Sequence, residues 1–315
     1  MRDLTVFLAT VLICFAGPSA GCQSLQSRAR QDAKALPPAT PGPIKNNTVR
    51  YQGVSFTFDS ALASEVKSET VPASTDGKPC DIWPEHPSFT LVGYQRLVRA
   101  PRDFPNIRVF EIAKFREALH SAAEENGKAT IPPSKDDWGN DVDRQVSVLK
   151  ELLGARPNTD RIKAAIGGKW TGMGCFGIPQ IPFLPLWESC EPFAAHVRYI
   201  NFKNGKGVFF LTQWENETEQ ITNEGLEYAF QGITNDGKYW VYAEFSVWAP
   251  GLPEGDEDKV VAWAEKNYLL DWKTKEFQNY LQPVVAKLQA LPADKFQPNL
   301  ELLERLIQSM EVQPK

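Results

Sequence analysis

Histidine and methionine are scarce in this chain, with three of each in 315 residues. His86, His120 and His196 stand far apart, and none has another histidine or a cysteine at metal-ligand spacing, so no zinc-type centre is expected. The chain also lacks G-x-S-x-G, H-E-x-x-H, a P-loop and a G-x-G-x-x-G that opens a helix. Gly172-Met173-Gly174 is only a fragment inside a proline-rich stretch. No catalytic residue, metal or cofactor is therefore implied. Lysine and arginine form no stripe and the net charge is −5, which argues against a nucleic-acid partner. A long apolar run is missing too: residues 4–15 are apolar but too short for a membrane-spanning helix.

That run suits the hydrophobic region of a secretory signal, closed by Gly17-Pro18. Ser19-Ala20-Gly21-Cys22 follows, and it resembles the bacterial lipobox, in which a cysteine after small residues is lipidated and becomes the first residue. Ser19 stands where that pattern usually has leucine. Cleavage after Gly21 also satisfies an ordinary small-x-small rule. The expectation is export to the cell envelope, with residues 1–22 as signal and Cys22 as the lipidation site that anchors the protein at the outer face of a membrane. Residues 23–48 then form a proline-rich tether, ending Leu36-Pro37-Pro38-Ala39-Thr40-Pro41-Gly42-Pro43.

Outside the cytoplasm thiols tend to pair. Beyond Cys14 and Cys22 the chain has Cys80, Cys175 and Cys190. A Cys175–Cys190 disulfide would close one irregular loop and stabilise it by about 3 kcal/mol. Cys80 is left odd, and it could pair with either of the others.

The folded part is expected at 49–250, with 251–315 adding an acidic loop and helices packed on the same domain. Alternation predicts strands near 49–58, 65–71, 88–94 and 107–112. Apolar stripes predict helices over 114–126 and 141–153, the second capped by Asn140. The strongest local signals are Asn204-Gly205, between apolar runs 195–202 and 208–214, and Asn235-Asp236-Gly237, between 226–233 and 238–248. Asn-Gly between alternating runs marks a hairpin whose central residues take positive φ, so a four-stranded meander is expected. In its last strand Tyr239, Val241, Ala243, Phe245 and Val247 share one face, and Trp240, Tyr242, Glu244, Ser246 and Trp248 the other. Both faces are partly apolar, so both should be covered. Helices are also predicted over 260–268, over 274–291 with an interruption near Pro283, and from Pro298 to Met310. The class is α+β: an antiparallel sheet flanked by helices.

Residues 167–193 carry many glycines and prolines together with Trp170, Phe176, Phe183 and Trp187. Their length and apolar content make these four aromatics the candidate recognition surface, against the alternative that they fold inward and plug a sheet face. Nine tryptophans also allow stacking on sugar rings, for which Trp170 and Trp187 are the best placed. Glu215, Glu217 and Glu219 cluster after a strand, and paired acids could hydrolyse a glycoside, although a solvated connection is the plainer reading. Cys80 and His86 could form a thiol–imidazole pair, but nothing in the sequence orients them. Glu254-Gly255-Asp256-Glu257-Asp258 offers hard oxygens without a recognised calcium-loop spacing.

Tyr51-Gln52-Gly53-Val54-Ser55-Phe56-Thr57-Phe58 resembles the opening strand pair of the PsbP/Mog1-like fold, and the order of elements over 49–250 is similar. The block from Asn201-Phe202-Lys203-Asn204-Gly205 through Asp236-Gly237-Lys238-Tyr239 looks like uncharacterised exported bacterial proteins. The proline-rich loop and the C-terminal helices depart from that fold. Its members act as adaptors and assembly factors more than as enzymes. The resemblance implies a non-catalytic role, and together with the export signal the expectation is a cell-envelope protein that binds a protein or polymer partner. A carbohydrate or small-ligand binder and a hydrolase using the glutamates are the alternatives.

Overall fold

The computed structural model describes residues 46–75, 77–94, 105–128, 138–170, 177–186, 189–216, 218–255, 262–263, 266 and 273–313. The residues expected to form the signal, with Cys22, and most of the expected tether lie outside them. The first described strand begins at Asn46, so the last residues assigned to the tether already belong to a sheet.

Among the described residues ten strands build two antiparallel sheets. β1 (Asn46–Tyr51), β2 (Val54–Asp59) and the terminal β10 (Glu311–Val312) form a small sheet in the order β1-β2-β10. β3 (Glu65–Val71), β4 (His86–Val92), β5 (Asn106–Glu111), β6 (Ala195–Phe202), β7 (Gly205–Thr212), β8 (Glu227–Thr234) and β9 (Tyr239–Ser246) form a seven-stranded sheet in the order β3-β4-β5-β9-β8-β7-β6. Between β5 and β6 the chain passes through α1 (Ile112–Lys128), α2 (Trp138–Ala155) and α3 (Thr159–Ile166); α4 (Lys275–Ala290) and α5 (Leu300–Gln308) come after β9. This is the expected α+β architecture. The meander β6–β9 starts at the far edge and returns to pair β9 with β5 at the centre.

Both faces of the large sheet are buried, as the two-sided pattern of β9 requires. Val241, Ala243, Phe245 and Val247 pack in one apolar cluster with Phe56, Leu300, Leu303 and Ile307, beneath the small sheet, α4 and α5. Trp240 and Tyr242 pack in the other with Phe115, Leu119, Leu149 and Ile162, beneath α1, α2 and α3. Each fully buried aromatic contributes about 2–3 kcal/mol of transfer free energy, so this double core is the main stabilising term. Tyr228 donates to Glu304 Oε1 at 2.9 Å and Thr57 N to Ser309 Oγ at 2.8 Å, which fixes α5 on its layer.

The hairpins form, but one for a different reason than the sequence suggests. The β6–β7 turn is Lys203-Asn204, and neither residue takes a positive φ. Gly205 instead sits inside β7, where a Cβ would run into the Phe202 ring and lie 2.6 Å from Ile233 O. Val312 N donates to Asn204 Oδ1 at 3.0 Å, so Asn204 anchors β10. The β8–β9 turn does use its glycine, Gly237, at φ 72°. Three further differences concern helices. α2 begins at Trp138, so Asn140 lies inside it rather than capping it. α4 runs unbroken through Pro283. α3 occupies a stretch given no element above. Of the helix expected at 260–268, only Ala262, Trp263 and Lys266 are described, all three helical.

Candidate functional site

Trp170 and Phe183 are 4% and 2% exposed and belong to the core cluster under α1–α3. The Phe183 ring lies 4.8 Å from that of Trp214. Phe176, Trp187 and Cys175 fall outside the described residues. At the two described positions the expected recognition surface is therefore corrected: these aromatics plug the sheet face. The loop can go inward because buried polar groups satisfy its backbone. Lys163 on α3 donates to Pro179 O at 2.9 Å, to Glu191 O at 2.9 Å and to the Glu191 carboxylate. Ile181 N donates to Glu191 Oε2 at 3.2 Å, and Glu191 N to Gln180 Oε1 at 2.6 Å. Phe183 N donates to Gln145 Oε1 at 2.6 Å. Burial pushes the Glu191 carboxyl up to about 7, with the Lys163 ammonium opposing it, and burial lowers Lys163.

Cys190 is buried, and Cys190 and Cys80 are both disulfide-bonded. With Cys175 outside the described residues, the Cys175–Cys190 pairing stays a proposal. A Cys80 in a disulfide offers no nucleophile to His86. Of the glutamates after β7, Glu215 is buried and Glu219 exposed, while Glu217 lies outside the described residues. Glu215 accepts from Gln213 Nε2 at 3.2 Å and from Glu219 N at 3.3 Å, a role in shaping the turn. In the acidic loop Glu254 accepts from Trp248 Nε1 at 3.0 Å and Asn223 Nδ2 at 3.3 Å. Among the described residues no three metal-ligating side chains converge, and no helix is long and apolar enough to cross a membrane.

Two other places collect unspent chemistry. The first is a polar band on the helix-covered face of the sheet. Register sets Ser88 beside Arg108, Arg108 beside Tyr242 and Tyr242 beside Gln231; the next row sets Asn106 beside Glu244, and Glu227 lies beyond. Tyr242 donates to Glu244. Burial raises the Tyr242 phenol well above its ordinary range, Glu244 and Glu227 add to this, and Arg108 opposes it. His86, one row away against Phe110 at 4.4 Å, is lowered to about 4, mainly by burial.

The second is a surface groove of about 270 Å³ between α4 and the segments before β8 and after β9. Ile221, Leu252, Pro253, Tyr280, Pro283 and Val284 line it. Asn223 ties its two loop walls together, since Asn223 N donates to Pro253 O at 2.7 Å and Ala249 N to Asn223 Oδ1 at 2.8 Å. Ile221 N donates to the Tyr280 hydroxyl at 2.7 Å, and Lys287 Nζ to Gly251 O at 2.5 Å, which couples α4 to both. Burial pushes the Tyr280 phenol up to about 12, so it is neutral at physiological pH. Pro253 and Pro283 are exposed and Val284 half-buried, leaving an apolar rim. Trp263 extends it, its ring 5.1 Å from Tyr280.

The sequence pointed at neither place. Arg108 and Asn106 sit in a six-residue strand whose neighbours only the register reveals. The groove joins three segments far apart in the chain, although the mid-helix Pro283 beside Tyr280 was a visible irregularity. Against protein-family models, curated proteins and solved structures alike, the chain finds no match.

Proposed function

We propose that this is a non-catalytic protein of the cell envelope that holds a short apolar segment of a protein partner in the groove beside α4. The observation that carries the reading is the groove itself. It presents exposed prolines and a half-buried valine at the surface, around a neutral phenol, and its walls are cross-tied so that it is preformed. At about 270 Å³ it suits one or two apolar side chains rather than an extended small molecule, whose pockets run from about 300 to 1,000 Å³. An apolar cleft with a fixed wall is the geometry in which one partner side chain supplies most of the binding energy. Lys287 at the rim favours a partner segment that carries an acidic residue next to its apolar one. In the same reading, an exported chain lipidated at Cys22 and tethered by residues 23–48 presents this groove to partners at the membrane surface.

A photo-crosslinking residue placed at Val284 in the protein made in its own host tests this. One defined adduct is expected, suppressed by excess unlabelled protein but not by the V284R variant. The same probe at exposed Lys67 on β3 serves as the background. Labelling at Val284 no stronger than at Lys67 overturns the proposal.

A further inference from the structure

β3 ends the seven-stranded sheet. β4 pairs with it along its whole length, from Glu65↔Val92 to Val71↔His86, and no strand among the described residues lies on its other side. Which backbone groups face that open side follows from the next pair of strands. Leu91 N donates to Pro105 O at 3.0 Å, so Leu91 turns its backbone groups toward β5 and its neighbour Thr90 turns them toward β3. Lys67, opposite Thr90, therefore bonds inward. Val66, Ser68 and Thr70 turn their N–H and C=O groups outward, where no described strand receives them. Nothing blunts this edge: β3 has neither bulge, glycine nor proline. On one face of the strand Lys67 and Glu69 pair at 3.0 Å, with 65% and 45% of their side-chain surface exposed. On the other, Val66 packs against the apolar cluster and Thr70 Oγ1 lies 2.7 Å from the Tyr51 hydroxyl.

We propose that this edge pairs with the same edge of a second copy of the chain, continuing the sheet across a two-fold axis at Ser68. An antiparallel pair centred there sets Ser68 opposite the second copy's Ser68 and Val66 opposite its Thr70. The three outward residues of each copy then close about six backbone hydrogen bonds. The same register sets Lys67 opposite the second copy's Glu69, and Glu69 opposite its Lys67. These fall at the narrow pairs, with Cα atoms about 4.5 Å apart, where opposite charges attract best. A lysine on an edge strand ordinarily deters a second strand; here each one meets an acid. An axis at Val66 would also oppose Glu65 and Lys67, but it would overlap only Glu65, Val66 and Lys67 of β3, against the whole strand at Ser68. The axis puts the β1–β2 hairpins of both copies on one face without collision. The Thr70 residues they touch are offset by the span from Val66 to Thr70, about 13 Å. A strand pair alone buries less than about 1,200 Å², so the contact is weak and reversible. α4 packs at β6, the opposite edge of the sheet, where Gln289 Oε1 accepts from His196 N at 2.8 Å. The β3 contact is thus separate from the groove and stands or falls without it.

A photo-crosslinking residue at exposed Glu65, which the register sets opposite the second copy's Val71, tests the proposal in the full-length protein made in its own host. An adduct of twice the chain mass is expected, with the crosslink mapping to β3 of the second copy. K67E should lower its yield at least about tenfold by opposing like charges, and K67E/E69K should restore it by opposing unlike charges again. S68P should abolish it with the thermal midpoint within a few degrees, since the lost N–H faces away from β4. V284R should change nothing. A probe at Lys67 reports this same contact, so adducts of twice the chain mass are set aside before labelling at Val284 and Lys67 is compared. Absence of the double-mass adduct, or equal yields from K67E and K67E/E69K, overturns the proposal. An adduct at Glu65 with a different protein overturns it in favour of a foreign strand.

Discussion

Replacing Lys163 by methionine probes how the inward-folded loop is held. Lys163 keeps a quarter of its side-chain surface in solvent, whereas the Glu191 side chain is fully buried. Methionine preserves the packing of the stem and removes the ammonium, leaving a buried carboxylate without its counter-charge. Breaking a buried pair in this way costs about 3–5 kcal/mol. Here the cost has a ceiling, because Glu191 can take up a proton. With the ammonium present Glu191 already titrates at about 7, so keeping it protonated in the variant costs about 0.4 kcal/mol more than in the wild type at pH 7, about 1.4 at pH 8 and almost nothing at pH 5. The lost donations to Pro179 O and Glu191 O add about 1 kcal/mol at any of these pH values. Removing Lys163 raises the folded-state pKa of Glu191 further, so the extra destabilisation opens above about pH 7 and is absent as pH falls below it. K163M should therefore lose about 1 kcal/mol at pH 5 and about 2.4 at pH 8, read from urea midpoints at both pH values. E191Q, which keeps an acceptor for Ile181 N and lets Lys163 reach solvent, should lose less at pH 8 than K163M. Equal losses for K163M at the two pH values, or a loss below about 1 kcal/mol at pH 8, would refute the reasoning.

F183A should cost about 3–5 kcal/mol by urea denaturation if the ring is core, whereas a surface aromatic would cost almost nothing. His86 has its pKa lowered to about 4, so its neutral burial favours folding above the unfolded value of 6.5 and is lost as pH falls toward 4. Between those limits the wild type should lose about 3 kcal/mol more stability than H86Q; parallel pH profiles would contradict it. G205A should cost about 1–3 kcal/mol by overpacking against Phe202 and Ile233 O, and an unchanged melting temperature would show that β7 has slack there.

The meander was readable because β6 to β9 are apolar runs joined by turns of two and four residues and by the longer connection before β8, although β7 and β8 are buried along nearly their whole length rather than alternating. Even so, Asn204-Gly205 gave the right hairpin through the wrong physics. The glycine is required by the Phe202 ring and the asparagine by β10, both tertiary demands invisible in the local sequence. α3 escaped notice because a helix of eight residues has only Ile162 and Ile166 as its buried stripe. The loop after it read as surface because glycine and proline signal irregular backbone without saying where that backbone goes. Its direction is set by Gln145, Lys163, Gln180 and Glu191, polar residues that sequence reasoning assigns to solvent by default. For the groove and the polar band, the sequence holds the residues but only the register and the path of α4 bring them together.

The central claim is that the groove beside α4 binds a partner through apolar contact. The most direct measurement is the equilibrium affinity of the partner crosslinked at Val284 for the wild type and for V284R, by calorimetry at pH 7. A buried cationic side chain in place of the valine should weaken binding at least about a hundredfold, with the thermal midpoint of the free protein changed by no more than a few degrees. Equal affinities for the two proteins would contradict the account.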